Sequence, residues 1–124
     1  MHPNKAALKR YCDAYGYPSA DGYADAVNTF YAENADINVV HPFNKVAGAG
    51  AYIHRVLGSL QDAFENLCRT DYIAFGGDYE NAEWVTNTGY YTGTFKKPWL
   101  GIQPTNTLAH LRFGEFHRME NGQA

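Results

Sequence analysis

The sequence predicts an α+β domain in which three N-terminal helices pack on a strongly curved antiparallel sheet. Apolar residues recur with the helical period in three segments that end at about residue 60. After residue 66 the chain alternates over long segments rich in Thr, Tyr and Trp, as β-strands do. Helices followed by antiparallel strands are typical of the α+β class, and 124 residues are the length of one domain, residues 1–124.

The helical part contains three amphipathic helices and one short strand. Each helix carries an apolar stripe: Leu8, Tyr11, Cys12 and Tyr15 in the first (4–15), Tyr23, Ala26, Val27, Phe30 and Tyr31 in the second, Tyr52, Ile53, Val56, Leu57 and Leu60 in the third. Between the second and third helices, residues 36–42 alternate as a strand that Pro42 terminates.

Three long strands follow, over residues 66–75, 82–95 and 105–119, with a turn at 75–81 and a longer connection at 96–104. Glycines inside the strands, at 89, 93 and 114, predict bends or bulges in a curved sheet. Asn121-Gly122 is a strong hairpin signal that requires a further strand. Because that strand would begin beyond Ala124, we expect either a truncated chain or a last strand supplied by a partner.

Composition narrows the class of function. The chain is 45% hydrophobic and 15% aromatic, with 10 Tyr, which suits a pocket for a mostly apolar ligand with a few oxygens. The alternative is that these rings form core and dimer surface. The net charge is -3 without a basic cluster, which argues against nucleic-acid binding. No apolar run approaches a membrane span or a signal peptide, so a cytoplasmic protein is expected.

Metal and thiol chemistry have little support in the sequence. The His residues lack the short spacings of metal-binding motifs, so we expect no metal site and no cofactor. Cys12 and Cys68 lie among apolar neighbours and are expected to be reduced core residues.

The third long strand holds the leading candidate site. Glu115 and His117 share one face with Leu111, Phe113 and Met119, which predicts that both polar groups point inward. A carboxyl in an apolar cavity can stay protonated and donate a hydrogen bond. The alternative is a shifted register, with both groups in solvent and Phe116 inside.

Two other residues are candidates for catalysis. His41 ends the short strand before Pro42 and could act as a general base, although a surface or structural role is an open alternative. Tyr11, on the stripe of the first helix, could donate its phenol to a ligand oxygen, or could simply pack in the core.

Aromatic residues and one imidazole complete the set of candidate substrate-binding residues: His117, Trp84, Tyr91, Trp99, Tyr52 and Phe113. Alternation alone leaves open which side of the second long strand faces inward.

The order of several short motifs resembles the SnoaL-like polyketide cyclases of the nuclear-transport-factor-two-like superfamily, which also contains the ketosteroid isomerases. The motifs are GGD at 76–78, EWV at 83–85, TG at 88–89 and 92–93, LGI-x-P at 100–104, and an R-x-E-N-G-like turn at 118–122. The resemblance covers nearly the whole chain. It implies a cone of helices and curved sheet around a deep apolar pocket, and a homodimer formed through the sheet.

The resemblance also implies roles for individual residues. His41-Pro42 is placed like the Asp-Pro that carries the isomerase base, and Arg10-Tyr11 is placed like the isomerase Arg-Tyr. Glu115, three residues before Arg118, corresponds to the protonated isomerase Asp, whereas the cyclases have His there. Two departures stand out, since the base position is His and the strand with the cyclase Asp would follow Ala124.

We therefore expect a cofactor-free enzyme that transfers a proton next to a carbonyl, in cyclisation or isomerisation of a hydrophobic oxygenated small molecule. His41 would be the base, and Glu115 and Tyr11 would hold the developing enolate oxygen. The alternative is a non-catalytic ligand-binding or dimerisation domain of the same fold.

Overall fold

The computed structural model describes residues 2–14 and 20–124, with the backbone alone for residues 20–22. The predicted helices are present as α1 (Pro3–Ala14), α2 (Ala20–Phe30) and a third helical segment, α3. The α3 segment runs as α-helix over Ala49–Ala51, π-helix over Tyr52–Leu57 and α-helix over Gly58–Ala63. The predicted stripe residue Tyr15 lies outside the described residues. No described helix is long and apolar enough to cross a bilayer.

The short predicted strand is half of a hairpin. Strand β1 (Asp36–Asn38) pairs antiparallel with β2 (Lys45–Ala47), which sequence analysis missed. The prediction that the first strand reaches residue 42 is wrong. The strand ends at Asn38, and the chain then turns back to form β2, which pairs with β1. His41-Pro42 therefore lies in the exposed connection between the two strands.

The main sheet has three long antiparallel strands in the order β3 (Phe64–Tyr79), β4 (Ala82–Phe95) and β5 (Leu108–Met119). Strand β3 is longer than predicted and includes most of the expected turn. The turn itself is Glu80-Asn81, where both residues have positive φ (48° and 62°), as tight hairpin turns require.

The predicted curvature is confirmed where Gly89 faces β3. A Cβ at Gly89 would lie 1.9 Å from the Thr70 carbonyl oxygen, so only glycine allows the strands to approach this closely. The register of β3 shifts next to this contact, between Asp71 and Ile73, and again between Glu65 and Cys68. Both irregularities are β-bulges of the kind that bend a sheet.

The hydrophobic core lies between the helices and the inner face of the sheet. It includes Leu8 of α1, Val27 of α2, Leu57 of α3 and Val85 of β4, each no more than 2% exposed. The predicted turn at Asn121-Gly122 is also confirmed, since both residues have positive φ. After this turn, Ala124 forms backbone hydrogen bonds with the end of α2, at Phe30 and Ala32.

Candidate functional site

A buried arginine, Arg69 of β3, lies at the centre of a polar cluster inside the cone. Its guanidinium has five N–H groups, and each has an acceptor. Nε and Nη2 donate to the two oxygens of Asp71, both at 3.1 Å, and Nη2 also donates to Glu115 Oε1. Nη1 donates to the hydroxyl of Tyr91 at 3.2 Å and to that of Tyr11 at 3.5 Å. The cluster therefore combines one cation with two carboxylates.

Aromatic rings surround the guanidinium. Its central carbon lies 4.0 Å from the ring centroid of Phe113 and 5.2 and 5.5 Å from those of Tyr11 and Tyr91. Contacts over an aromatic face stabilise a cation that has left water. These rings come from α1, β4 and β5, so the ion pairs are enclosed from several sides.

The strand register brings the remaining polar groups to the same place. Asn87 of β4 is directly opposite Glu115 of β5, and Val85 is opposite His117. On β3, Asp71 is opposite Gly89, two residues from Asn87. Side chains two apart share one face of a strand, so the inner face of three strands converges on Asn87.

The amide of Asn87 links the carboxylates to the imidazole. Its Nδ2 donates to Asp71 Oδ1 at 2.8 Å and to Glu115 Oε1 at 3.0 Å, while its Oδ1 lies 2.8 Å from His117 Nε2. Since Oδ1 can only accept, a hydrogen bond at this contact requires a proton on His117 Nε2. The other ring nitrogen, Nδ1, lies 3.3 Å from the hydroxyl of Tyr31.

His117 is 4% exposed and contacts the rings of Phe30, Tyr31 and Tyr11, with centroids 4.9, 5.6 and 6.1 Å away. Burial lowers the pKa of His117, and Arg69 acts in the same direction against the opposing effect of Glu115. The imidazole is therefore neutral at pH 7, which agrees with an Nδ1 that accepts from Tyr31.

Glu115 points inward, as predicted, but the prediction that it is a protonated acid is wrong. Burial acts to raise the pKa of Glu115, yet the charge of Arg69 and the hydrogen bond from Asn87 outweigh it and hold that pKa below its ordinary value. The shifted-register alternative is excluded as well, because Phe116 is 77% exposed on the outer face.

The two oxygens of Glu115 have different surroundings. Both Arg69 and Asn87 bind Oε1, whereas Oε2 has no hydrogen-bond partner among the described residues. The side chain of Glu115 is 17% exposed. The combination is a carboxylate held through one oxygen, with a second oxygen that no described residue binds.

Tyr11 is 2% exposed and lies in the same cluster, with its ring stacked on Phe30 at a centroid distance of 4.5 Å. Burial and then the charge of Glu115 raise the pKa of Tyr11 well above its ordinary value, so the phenol keeps its proton. Tyr91 and Phe113 contact each other beside it, at 5.2 Å. Tyr52 is 6% exposed and contacts Tyr31, with ring centroids 5.8 Å apart.

The structure does not bring the other candidates to this cluster. His41 is exposed and forms no hydrogen bond or ion pair with any described residue. Trp84 pairs with Arg118 and lies on the outer face of the sheet, whereas Tyr91 lies on the inner face. Trp99 lies in the connection after β4, where its Nε1 donates to Ser59 at 3.1 Å and its ring packs on Phe64.

Sequence analysis missed three members of the cluster: Arg69, Asp71 and Asn87. Arg69 and Asp71 are oppositely charged residues two positions apart in a strand, and so lie on one face, a signal that could have identified them. The bulge between Glu65 and Cys68 concealed it, because a bulge changes which positions face inward. The described residues contain no group of three His, Cys, Asp or Glu side chains arranged to hold a metal ion.

Comparisons with known proteins find similarity at the level of structure. No family model and no curated protein matches the chain. Solved structures do match, among them three proteins whose assignment as polyketide cyclases is provisional.

The protein from Jannaschia sp. CCS1, described as SnoaL-like, has a TM-score of 0.73 at 20% identity, over 98% of this chain and 79% of that one. The protein from Xanthomonas campestris pv. campestris has a TM-score of 0.71 at 16% identity, over 98% and 84%. The protein from Pseudomonas putida KT2440 has a TM-score of 0.70 at 9% identity, over 97% and 84%. The fold predicted from the resemblance is thereby confirmed, and the chain has the α+β cone fold of the SnoaL-like polyketide cyclases.

Proposed function

We propose that the chain is a cofactor-free enzyme of the cyclase or isomerase kind, which transfers a proton next to a carbonyl of a hydrophobic oxygenated small molecule. The observation that carries this proposal is the state of Glu115. Burial raises its pKa, but Arg69 and its other partners outweigh burial and keep the carboxylate ionised. It is held through Oε1, while Oε2 has no hydrogen-bond partner among the described residues. A positioned carboxylate of this kind is a general base.

The proposal assigns the proton-accepting role to Glu115 and not to His41. His41 lies in the exposed connection between β1 and β2, away from hydrogen-bond contact with the cluster. Because Arg69 stabilises the ionised form of Glu115, this base is weak. Its substrate must then carry an acidified C–H, such as one between two carbonyl groups.

The developing enolate oxygen would be held by Tyr11. Its hydroxyl and Glu115 Oε1 both bind the guanidinium of Arg69, so a ligand beside Glu115 is also close to Tyr11. A buried phenol that keeps its proton can donate to an oxyanion, and the nearby guanidinium favours negative charge there. Phe113, Tyr91 and Leu111 would supply the apolar surface.

The test is exchange of the α-protons of 2-tetralone in D₂O, followed by proton NMR with the unmodified chain and its variants. Glu115→Gln keeps the size and removes the base, so we expect exchange to slow by about a hundredfold or more. His41→Gln and the matched control Glu120→Gln, an exposed carboxylate just after β5, should exchange as the parent does. Equal rates for Glu115→Gln and the parent would overturn the assignment.

A second candidate function is ligand binding without turnover. It is favoured by the saturation of Arg69, whose donors are all used within the cluster, and by the low basicity of Glu115. In that case 2-tetralone would shift the resonances of residues near Glu115, with no exchange above the buffer rate.

For the outer face of the sheet we propose pairing with a second copy of the chain. Large apolar side chains are 36–77% exposed there: Tyr72, Ile73, Phe75, Tyr79, Tyr90, Leu108 and Phe116. A contiguous exposed apolar patch of this kind marks an interaction surface.

The shape of this face favours a copy of the same chain. Phe116 protrudes beside a hollow of about 570 Å³ that is also bounded by Phe75, Tyr79 and Trp84. Two copies related by a twofold axis would each offer a protruding ring and a hollow.

A further inference from the structure

We propose that Asn87 is the positioning residue of this site, setting both the tautomer of His117 and the orientation of the Glu115 carboxylate through one side-chain amide. The consequence for catalysis rests on the function proposed above, whereas the hydrogen-bond assignment does not.

The contacts of Asn87 fix the direction of its amide. Nδ2 has two hydrogens, and two carboxylate oxygens lie 2.8 and 3.0 Å away. A flipped amide would place Oδ1 against Asp71 and Glu115, so that three acceptors faced one another. It would also turn Nδ2 toward His117. The orientation that satisfies both carboxylates is thus strongly preferred, since unpaired buried acceptors are costly.

Burial makes this preference strict. Asn87 is 1% exposed, so water cannot replace a lost partner. Asn87 is also directly opposite Glu115 in the ladder between β4 and β5. Together with Arg69, the same side chain therefore holds Glu115 Oε1 in place, and with it the direction in which Oε2 points.

The orientation of the amide then determines the tautomer of His117. The ring must donate from Nε2 to Asn87 Oδ1, which leaves Nδ1 to accept from Tyr31. The titratable and charged groups that face His117 come from every neighbouring element: Tyr11 of α1, Tyr31 after α2, Arg69 and Asp71 of β3, and Glu115 of β5. Asn87 is the neutral link between this imidazole and the carboxylates.

Asn87 also favours the ionised form of Glu115, because it donates a hydrogen bond to Oε1. Removal of that donor makes Glu115 easier to protonate. If Glu115 is the base, the exchange rate falls when Glu115 is protonated. This acid limb of the plot of rate against pH then moves to higher pH. A residue that only stabilised the fold would lower the amount of active protein without moving that limb.

The first experiment uses the full, unmodified chain labelled with ¹⁵N at histidine. Long-range proton–nitrogen correlation spectra at neutral pH should show His117 as a single neutral tautomer with its proton on Nε2. This measurement needs neither a variant nor turnover. A proton on Nδ1, or a cationic ring at neutral pH, would overturn the proposal.

The second experiment compares Asn87→Leu and Asn87→Asp with Thr88→Val, a control on the adjacent residue. Thr88 donates to the Phe113 carbonyl oxygen at 2.5 Å and lies on the opposite face of β4. The leucine variant should show an additional Nδ1–H form of His117. Both Asn87 variants should raise the titration midpoint of Glu115, followed by ¹³C NMR of its carboxyl group, by about one pH unit. The control should change neither quantity.

Exchange of the 2-tetralone protons, measured at a series of pH values, separates this inference from the proposed function. A shifted acid limb with the Asn87 variants supports both. NMR changes without any exchange in the parent would sustain the role of Asn87 and reject the proton transfer. An Asn87→Leu chain that is folded and keeps one tautomer and the parent midpoint would reject the role of Asn87. If that variant does not fold, Asn87→Asp and the unmodified chain decide the question.

Discussion

Arg69 of β3 and Glu115 of β5 form an ion pair across β4, although the two residues are 46 positions apart in the sequence. The intervening strand contributes Asn87, whose Nδ2 donates to the same Glu115 oxygen at 3.0 Å. The side chain of Arg69 is 0% exposed and that of Glu115 is 17% exposed. Together with Asn87, this pair joins all three strands of the sheet on their inner face through a single carboxylate oxygen.

Replacement of Arg69 by Met should destabilise the chain by about 3–5 kcal/mol, because Asp71 and Glu115 would remain buried without a cation. Urea unfolding followed by tryptophan fluorescence measures this change. Lys45→Met is the matched control, since Lys45 pairs with Asp36 at an exposed site, where such pairs contribute about 0–1 kcal/mol. A loss for Arg69→Met no larger than that of the control would contradict the importance of the buried pair.

Acid should destabilise the chain in two stages. The unfolded chain protonates His117 at an ordinary pKa of 6.5, whereas burial lowers the folded value, so stability falls as the pH drops below 6.5 toward the folded pKa. For Glu115 the folded pKa lies below 4.5, mainly because Arg69 and its other partners outweigh burial. Its contribution is therefore complete above 4.5 and is lost as the pH falls through the folded pKa.

Urea midpoints measured across this pH range test both stages. His117→Gln should flatten the upper stage and Glu115→Gln the lower one, while His54→Gln, at an exposed position, should leave both slopes intact. An unchanged upper slope in His117→Gln would show that His117 is not the residue responsible.

Gly89→Ala should cost at least about 2 kcal/mol, because the new Cβ would lie 1.9 Å from the Thr70 carbonyl oxygen and would push β3 from β4. Gly114→Ala is the control on β5, where a Cβ meets nothing within 4 Å. Thermal unfolding compares the two variants. Equal melting temperatures would mean that the close approach at Gly89 is not needed for the fold.

Phe116→Glu should convert the proposed dimer to a monomer, since a charge in place of the protruding ring would have to be buried in the hollow of the second copy. Light scattering after size-exclusion chromatography measures the mass. Val40→Glu is a close control, because Val40 and Phe116 are both 77% exposed but Val40 lies between β1 and β2. A parent chain that is monomeric, or a dimer that Phe116→Glu leaves unchanged, would reject this surface.

Much of the architecture follows from local patterns. The helical stripes predicted α1, α2 and α3, and Asn121-Gly122 predicted a turn in which both residues have positive φ. Alternation along β5 was enough to place Glu115 and His117 on the inner face. These features depend on neighbours a few residues apart, which the sequence shows directly.

The partners of the inward side chains depended on contacts between distant segments. The bulge between Glu65 and Cys68 changes which positions of β3 face inward, and the register of β4 against β5 places Asn87 opposite Glu115. A carboxyl in an apolar cavity is protonated when alone and ionised beside a guanidinium, so the charge of Glu115 could not be predicted before Arg69 was located. The sequence by itself determined the elements and the inward face of β5. The tertiary structure decided which charges meet there, because an ion pair depends on distances that only the packed sheet establishes.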